Sequence, residues 1–178
     1  MSLRFHEIAE QRHRILNPFT DAKLQLLSDV CQLQPGMRLI DLCCGKGEML
    51  CQWAAKSGIV GTGVDISPVF LAAARERALA LQCAERVAFI EADAATYPID
   101  PGAFDVISCI GATWIGGGLV GTLERMRPGL QSTESLMLVG DPIGSMNRPT
   151  RRMQRLRMAS ATCSPRSQVP SNGSQQQD

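Results

Sequence analysis

Apolar and polar positions alternate between two rhythms along this chain. Short apolar runs at Met37–Leu42, Ile59–Val64, Arg86–Ile90, Phe104–Ile110 and Ser135–Val139 read as buried strands. Between them, apolar residues return at helical spacing. Residues 46–56 put Met49, Leu50, Trp53 and Ala54 on one face. Ser67-Pro68 sets a capping hydroxyl before a proline at the first helical position, and an Ala-rich helix runs from there to about Gln82. Leu119–Met126 is a short helix. Gln34-Pro35-Gly36 and Arg127-Pro128-Gly129 are turns.

Two helices precede the first strand. Leu3–Leu16 has helical spacing, with Phe5, Ile8, Ala9, Ile15 and Leu16 sharing a broad apolar face until Asn17-Pro18 interrupts it. A second helix starts at the Thr20 cap with Asp21 in its first turn, and carries Leu24, Leu27, Val30 and Cys31. Strands alternating with helices predict an α/β fold, Rossmann-like and doubly wound, around a mainly parallel sheet of about five strands. The expected strand order is 3-2-1-4-5, with a ligand over the carboxyl ends where strands one and four diverge. Residues 1–34 would form a helical lid and 35–141 the ligand-binding domain.

After Asp141 the composition changes. Residues 142–178 hold no Phe, Tyr, Trp, Lys or Glu, and Arg148, Arg151, Arg152, Arg155, Arg157 and Arg166 face one acid, Asp178. This basic, low-complexity tail is expected to be disordered, with at most a brief helix at Met153–Met158. Over the whole chain 44% of residues are hydrophobic and 20% charged, and the formal net charge is +1, so nothing global points to nucleic acid or a membrane. The N-terminus lacks the apolar core of a signal peptide, and no apolar run is long enough to span a bilayer. A cytoplasmic protein is expected. Its seven cysteines have no zinc-finger spacing and read as reduced buried thiols, with a thiol site for a metal or arsenic-like ion as the lesser alternative. No metal is assigned.

Chemistry concentrates where strands end. The first strand carries Asp41 and breaks at Gly45 and Gly47; the second ends at Asp65, the third is followed by Asp93, and the fourth leads through Cys109 to Thr113. Glycines let backbone approach a ligand closely, and a helix N-terminus beyond them offers N–H groups. If the ligand is an adenosyl group, Asp65 accepts both ribose hydroxyls, Asp93 accepts from the adenine amino group, and Ile66 and Ala94 flank the purine. Each acid alone has a bland alternative as a loop or capping residue; the joint pattern is more specific.

Ile40-Asp41-Leu42-Cys43-Cys44-Gly45-Lys46-Gly47 resembles the first motif of class I S-adenosylmethionine-dependent methyltransferases. Gly63-Val64-Asp65-Ile66-Ser67 resembles their ribose-binding motif, and Glu91-Ala92-Asp93-Ala94 their adenine-binding motif. The N-terminal segment around His13, Arg14 and Asn17, with Gly111-Ala112-Thr113-Trp114, is similar to a bacterial subgroup of uncharacterised small-molecule methyltransferases. The resemblance implies S-adenosyl-L-methionine as cofactor, methylation of a small-molecule acceptor, and Asp41, Cys43, Gly45, Gly47, Asp65, Ile66, Asp93, Ala94 and Cys109 at the cofactor. Candidates facing the acceptor are His6, His13, Arg14, Asn17, Thr113, Trp114 and Asp141. His13 is either a base or an exposed helix residue; Trp114 either walls the pocket or packs a loop.

Three departures stand out. Cys43 replaces a motif glycine, tolerable where that backbone is not left-handed. The stretch from Pro128 to Leu136 is longer and more polar than in the family. The family's closing helix and strand pair have no counterpart after Pro142, so a truncated or altered C-terminus is expected. A nicotinamide oxidoreductase is a rival, but the third glycine of its fingerprint is replaced by Leu50. An adenosyl-binding module without catalysis is the other rival. No basic patch sits in the folded part, so a metabolite is expected as acceptor rather than RNA or DNA.

Overall fold

The computed structural model describes residues 3–141. The expected tail at 142–178 and its short basic helix lie outside them. In chain order the elements are α1 (Leu3–Ala9), α2 (Asp21–Val30), β1 (Arg38–Leu42), α3 (Glu48–Ser57), β2 (Val60–Asp65), α4 (Pro68–Ala80), β3 (Val87–Glu91), β4 (Val106–Ile110), α5 (Leu119–Met126) and β5 (Leu136–Gly140). The five strands form one sheet in the order β3-β2-β1-β4-β5, and every pairing is parallel. The expected fold and strand order are those observed.

Strand alternation divides the core. Leu39 of β1 and Val106 of β4 face the side packed by Leu50, Cys51, Trp53 and Ala54 of α3. Ile40, Leu42, Ile107 and Cys109 face the other side, against Met126 of α5. The period of two in each strand is what separates these clusters. On the α3 side, Gly61 and Gly63 let helix and sheet approach closely. A Cβ at Gly61 would lie 2.4 Å from Leu50 Cδ2, and one at Gly63 would lie 2.7 Å from Cys44 Sγ. These glycines shorten the apolar run of β2 in sequence because packing, and not flexibility, requires them.

The first helix ends earlier than its apolar spacing predicts. It stops at Ala9, none of its residues is buried, and Phe5 and Ile8 are exposed. The cause lies more than thirty residues away. The Lys46 ammonium donates to the carbonyls of Glu10, Gln11 and His13 at 2.8, 3.0 and 2.6 Å. One cation gathering three carbonyls folds the backbone around itself, and carbonyls turned toward it cannot all accept along a helix axis. Ile15 and Leu16, expected to extend the apolar face of that helix, instead lie in a bent, non-helical connection. The α2 cap is as expected, with Thr20 Oγ1 accepting from the Lys23 N–H. Likewise Ser67 Oγ accepts from the Phe70 N–H at the start of α4. Phe104, expected in the fourth strand, sits before β4 and forms an isolated bridge with Leu130.

Candidate functional site

The carboxyl ends of β1, β2 and β4 open on a cavity of about 620 Å³, within the ~300–1,000 Å³ usual for small-molecule sites. Of the residues singled out in the sequence, Asp41, Cys43, Gly45, Asp65, Ile66, Asp93 and Ala94 line it, as do His6, Arg14, Asn17 and Trp114. Gly47, Cys109, His13, Thr113 and Asp141 do not line it.

The glycine turn is built by backbone geometry. Gly45 has φ +54° and Gly47 φ +64°, and Gly47 caps α3. A Cβ at Gly47 would strike the Phe89 ring at 2.7 Å, so this glycine serves the packing of the turn on β3. Cys43 has φ +60°, left-handed, so the condition under which the sequence made a thiol readily tolerable there is not met. A side chain there costs roughly 1–2 kcal/mol relative to right-handed backbone. The turn therefore keeps the geometry of a glycine while carrying a thiol. Burial pushes the thiols of both Cys43 and Cys44 upward, so they stay protonated at neutral pH.

Asp65 ties the turn to β2. Its Oδ2 accepts from the Gly45 N–H at 2.8 Å and its Oδ1 from the Ser67 N–H at 2.9 Å. Each carboxylate oxygen retains further acceptor capacity, and Asp65 is among the residues that line the cavity. Asp93 is exposed after β3, with Oδ1 accepting from the Ala95 N–H at 2.9 Å, while Ala94 is buried and Ile66 exposed beside their respective acids. Asp41 is 5% exposed and its Oδ1 accepts from Ser108 Oγ at 2.6 Å. Burial, opposed by that hydrogen bond and reinforced by the nearby Asp65, moves the Asp41 carboxyl up to about 7.

The N-terminal segment crosses this cavity. Arg14 pairs with both Glu48 and Asp21, and Glu48 also takes a two-pronged contact from Arg77 at 2.8 and 2.9 Å. Gln52 bridges Asp21 and Glu48. Asn17 Nδ2 donates to the Ile110 carbonyl at 3.3 Å, and Leu16 covers Gly45, whose Cβ, if present, would lie 2.6 Å from Leu16 Cδ1. Nearer the chain start, His6 meets the Phe70 ring edge-on at 5.4 Å and Ser67 Oγ donates to Glu7 at 2.5 Å.

The residues outside the cavity are held elsewhere. Cys109 is fully buried on the α5 side of the sheet, the opposite face from Asp41 and Ser108, as strand alternation dictates. Burial lifts its thiol to about 12. His13 is exposed and pairs with Glu10 at 2.7 Å. Thr113 donates to Asp141 at 2.5 Å, and its carbonyl accepts from Thr122 Oγ1. Sequence reasoning missed Ile15, Leu16, Phe19, Ile110 and Ile115 in the lining. The first two were assigned to a helix face, and only the unexpected break after Ala9 frees them. Among the described residues no three His, Cys, Asp or Glu groups are placed to hold a metal, and no helix is long and apolar enough to cross a membrane.

With this geometry in hand, comparisons with known proteins are specific. A family profile described as "Methyltransferase domain" matches residues 39–130. The uncharacterized protein YjhP of Escherichia coli (strain K12) is 47% identical over 139 residues, which cover 78% of this chain and 55% of that protein. A crystal structure of a SAM-dependent methyltransferase from Geobacter sulfurreducens in complex with S-adenosyl-L-homocysteine is 44% identical, with a TM-score of 0.78. It covers 86% of this chain and 61% of its own. The 27-O-demethylrifamycin SV methyltransferase of Amycolatopsis mediterranei (strain S699) is 35% identical over 81 residues, 46% of this chain and 30% of that enzyme. The chain thus spans little more than half the length of the YjhP protein it matches.

Proposed function

Because this chain belongs to the methyltransferase domain family, we propose that it binds S-adenosyl-L-methionine and directs methyl transfer to a small-molecule acceptor. The observation that carries the reading is a single cavity lined by Asp41, Gly45, Asp65 and Asp93, drawn from the ends of three adjacent parallel strands. The donor set suits an adenosyl group. Asp65 has lone pairs left for ribose hydroxyls, Asp93 an acceptor for an exocyclic amine, and Ile66 and Ala94 apolar surface beside them.

When bound, the cofactor supplies an electrophilic methyl on a sulfonium. The chain's own residues bind, orient and shield. Asp65 and the Gly45 backbone fix one end of the site. Asp41 provides a carboxylate that is only 5% exposed, and at so buried a position it acts strongly on a cationic group. Residues 3–19 serve as the lid. Leu16 lies over the glycine turn, and Asn17 anchors the segment to the end of β4. Trp114, 72% exposed while lining the cavity, borders the acceptor entrance. A small-molecule acceptor is supported by the apolar residues Ile15, Leu16, Phe19 and Ile115 in the lining and by the likeness to a rifamycin methyltransferase. No general base is required by a displacement on a sulfonium, so His13, outside the cavity, carries no assigned step.

Titration calorimetry tests the cofactor assignment. S-adenosyl-L-methionine and S-adenosyl-L-homocysteine are expected to bind while NAD does not. Binding of NAD, or of none of the three to folded protein, would overturn it. Transfer of labelled methyl to a member of a metabolite panel then tests the acceptor class.

A further inference from the structure

Parallel pairing sets Asp41 of β1 directly beside Ser108 of β4. Both side chains therefore leave the same face of the sheet. Ser108 is fully buried, lies outside the cavity lining, and donates from Oγ to Asp41 Oδ1 at 2.6 Å, with a longer contact to the Ile40 carbonyl at 3.4 Å. A buried serine in a strand otherwise composed of Val106, Ile107, Cys109 and Ile110 is a local exception to its surroundings. Burying a hydroxyl in such a strand is unfavourable unless the group is hydrogen-bonded.

We propose that Ser108 is a positioning residue, whose hydroxyl holds one oxygen of the Asp41 carboxylate and leaves the other to meet a cationic group of the ligand. The proposal rests on the adenosyl-cofactor reading, in which the ligand carries an α-ammonium group. It adds to that reading a residue that never touches the ligand.

The charges around Asp41 make this hydrogen bond consequential. From β2, Asp65 acts on it as a like charge. From the turn, Cys43 and Cys44 lie near it, and Cys109 of β4, on the other face of the sheet, feels its charge; burial keeps all three thiols neutral. The cations that line the cavity are committed elsewhere, Arg14 to Glu48 and Asp21 and Lys46 to three carbonyls. The Ser108 hydroxyl is thus the group that favours the ionised form, against burial and Asp65. Loss of the hydroxyl raises the pH at which Asp41 ionises. Affinity for a cationic ligand then suffers at low pH and recovers at high pH.

The test uses the full chain and S-adenosyl-L-homocysteine as probe, titrated calorimetrically across pH for the wild type, Ser108→Ala and Ser108→Thr. The wild-type affinity is expected to rise with pH through a midpoint near 7. Ser108→Ala is expected to move that midpoint up by roughly one pH unit, so that binding is about tenfold weaker near pH 6 and matches wild type near pH 9. Ser108→Thr, which keeps the hydroxyl, is expected to restore the midpoint. A loss that is uniform across pH, or none, would overturn the proposal, because a merely structural serine would not move a midpoint. A carbon-13 titration of the Asp41 carboxyl without ligand gives an independent readout. If the probe binds neither protein, the cofactor reading fails, while an unchanged Asp41 midpoint in Ser108→Ala would separately refute the role of Ser108. Should Ser108→Ala fail to fold, Ser108→Cys, near-isosteric with a weak donor, takes its place in the same comparison.

Discussion

Replacing Asp41 by asparagine is expected to stabilise the fold at neutral and alkaline pH while weakening the site. The carboxyl, ordinarily at 3.8, lies at about 7 in the folded protein. Below about pH 4 the folded and unfolded states both hold the proton, and above about pH 7 both have lost it. Between these limits only the folded state is protonated, so rising pH removes stability across this window. At 1.36 kcal/mol for each pH unit, the separation amounts to about 4 kcal/mol at pH 8. Asparagine resembles the protonated carboxyl in shape, keeps an acceptor for the Ser108 hydroxyl, and carries no charge to desolvate. Water penetration and local relaxation soften such penalties, so a gain of roughly 2–4 kcal/mol is expected near pH 8, shrinking towards zero near pH 4. Urea unfolding followed by tryptophan fluorescence measures this directly. Trp53 is buried with its indole N–H donating to the Leu24 carbonyl at 3.0 Å, whereas Trp114 is already exposed, so the signal reports on the core. Carboxylates remote from Asp41 contribute equally to both proteins and cancel in the difference, which leaves its coupling to Asp65 as part of the effect measured. A difference between Asp41→Asn and wild type that does not change between about pH 5 and pH 8 would refute the reasoning, whatever its size.

Three further outcomes follow from the turn and the segment above it. Glu48→Ala strips Arg14 and Arg77 of a shared partner whose side chain is 4% exposed, and should cost about 3 kcal/mol in chemical denaturation; both guanidiniums keep partial access to water, which holds the loss near the lower end of the usual range. Gly45→Ala places a methyl against Leu16 at φ +54°, and should lower stability by roughly 1–2 kcal/mol and weaken S-adenosyl-L-homocysteine binding at least tenfold by calorimetry. Cys43→Gly relieves a left-handed residue at the entropic cost of a glycine, and should raise stability by at most about 1 kcal/mol in thermal unfolding.

The parallel sheet was legible in the sequence because its strands announce themselves twice, by apolar runs and by what ends them. Asp41, Asp65 and Asp93 each mark the carboxyl end of a strand, and parallel pairing then brings successive ends to one side. The strand order followed from handedness and short connections. Side-chain direction at the fourth strand was less accessible, since Cys109 and Ser108 differ by one position and hence by a face. Choosing between them required knowing the register with β1, which sets Ser108 against Asp41. The N-terminal segment was the least legible. Its helical spacing is genuine up to Ala9, but a lysine from the glycine turn captures the carbonyls that would have continued the helix. A local pattern cannot register a competitor that arrives from a distant part of the chain. The left-handed Cys43 is a related case, because the residue type argues against a conformation that the turn imposes on it.

The Asp41–Ser108 contact also has a consequence in time. Its partners are 67 residues apart in the chain, one on the central strand and the other on a strand translated much later. At about 5–20 residues per second, ribosomal synthesis separates them by roughly 3–13 s. During that interval β1 can pair with β2, but its other edge and its buried acid have nothing to meet. A nascent chain in this state exposes an open strand edge with a carboxyl lacking its hydroxyl donor. The interval between β2 and β4 is therefore when the growing chain is most exposed to mispairing, and a slow codon cluster placed there would lengthen it.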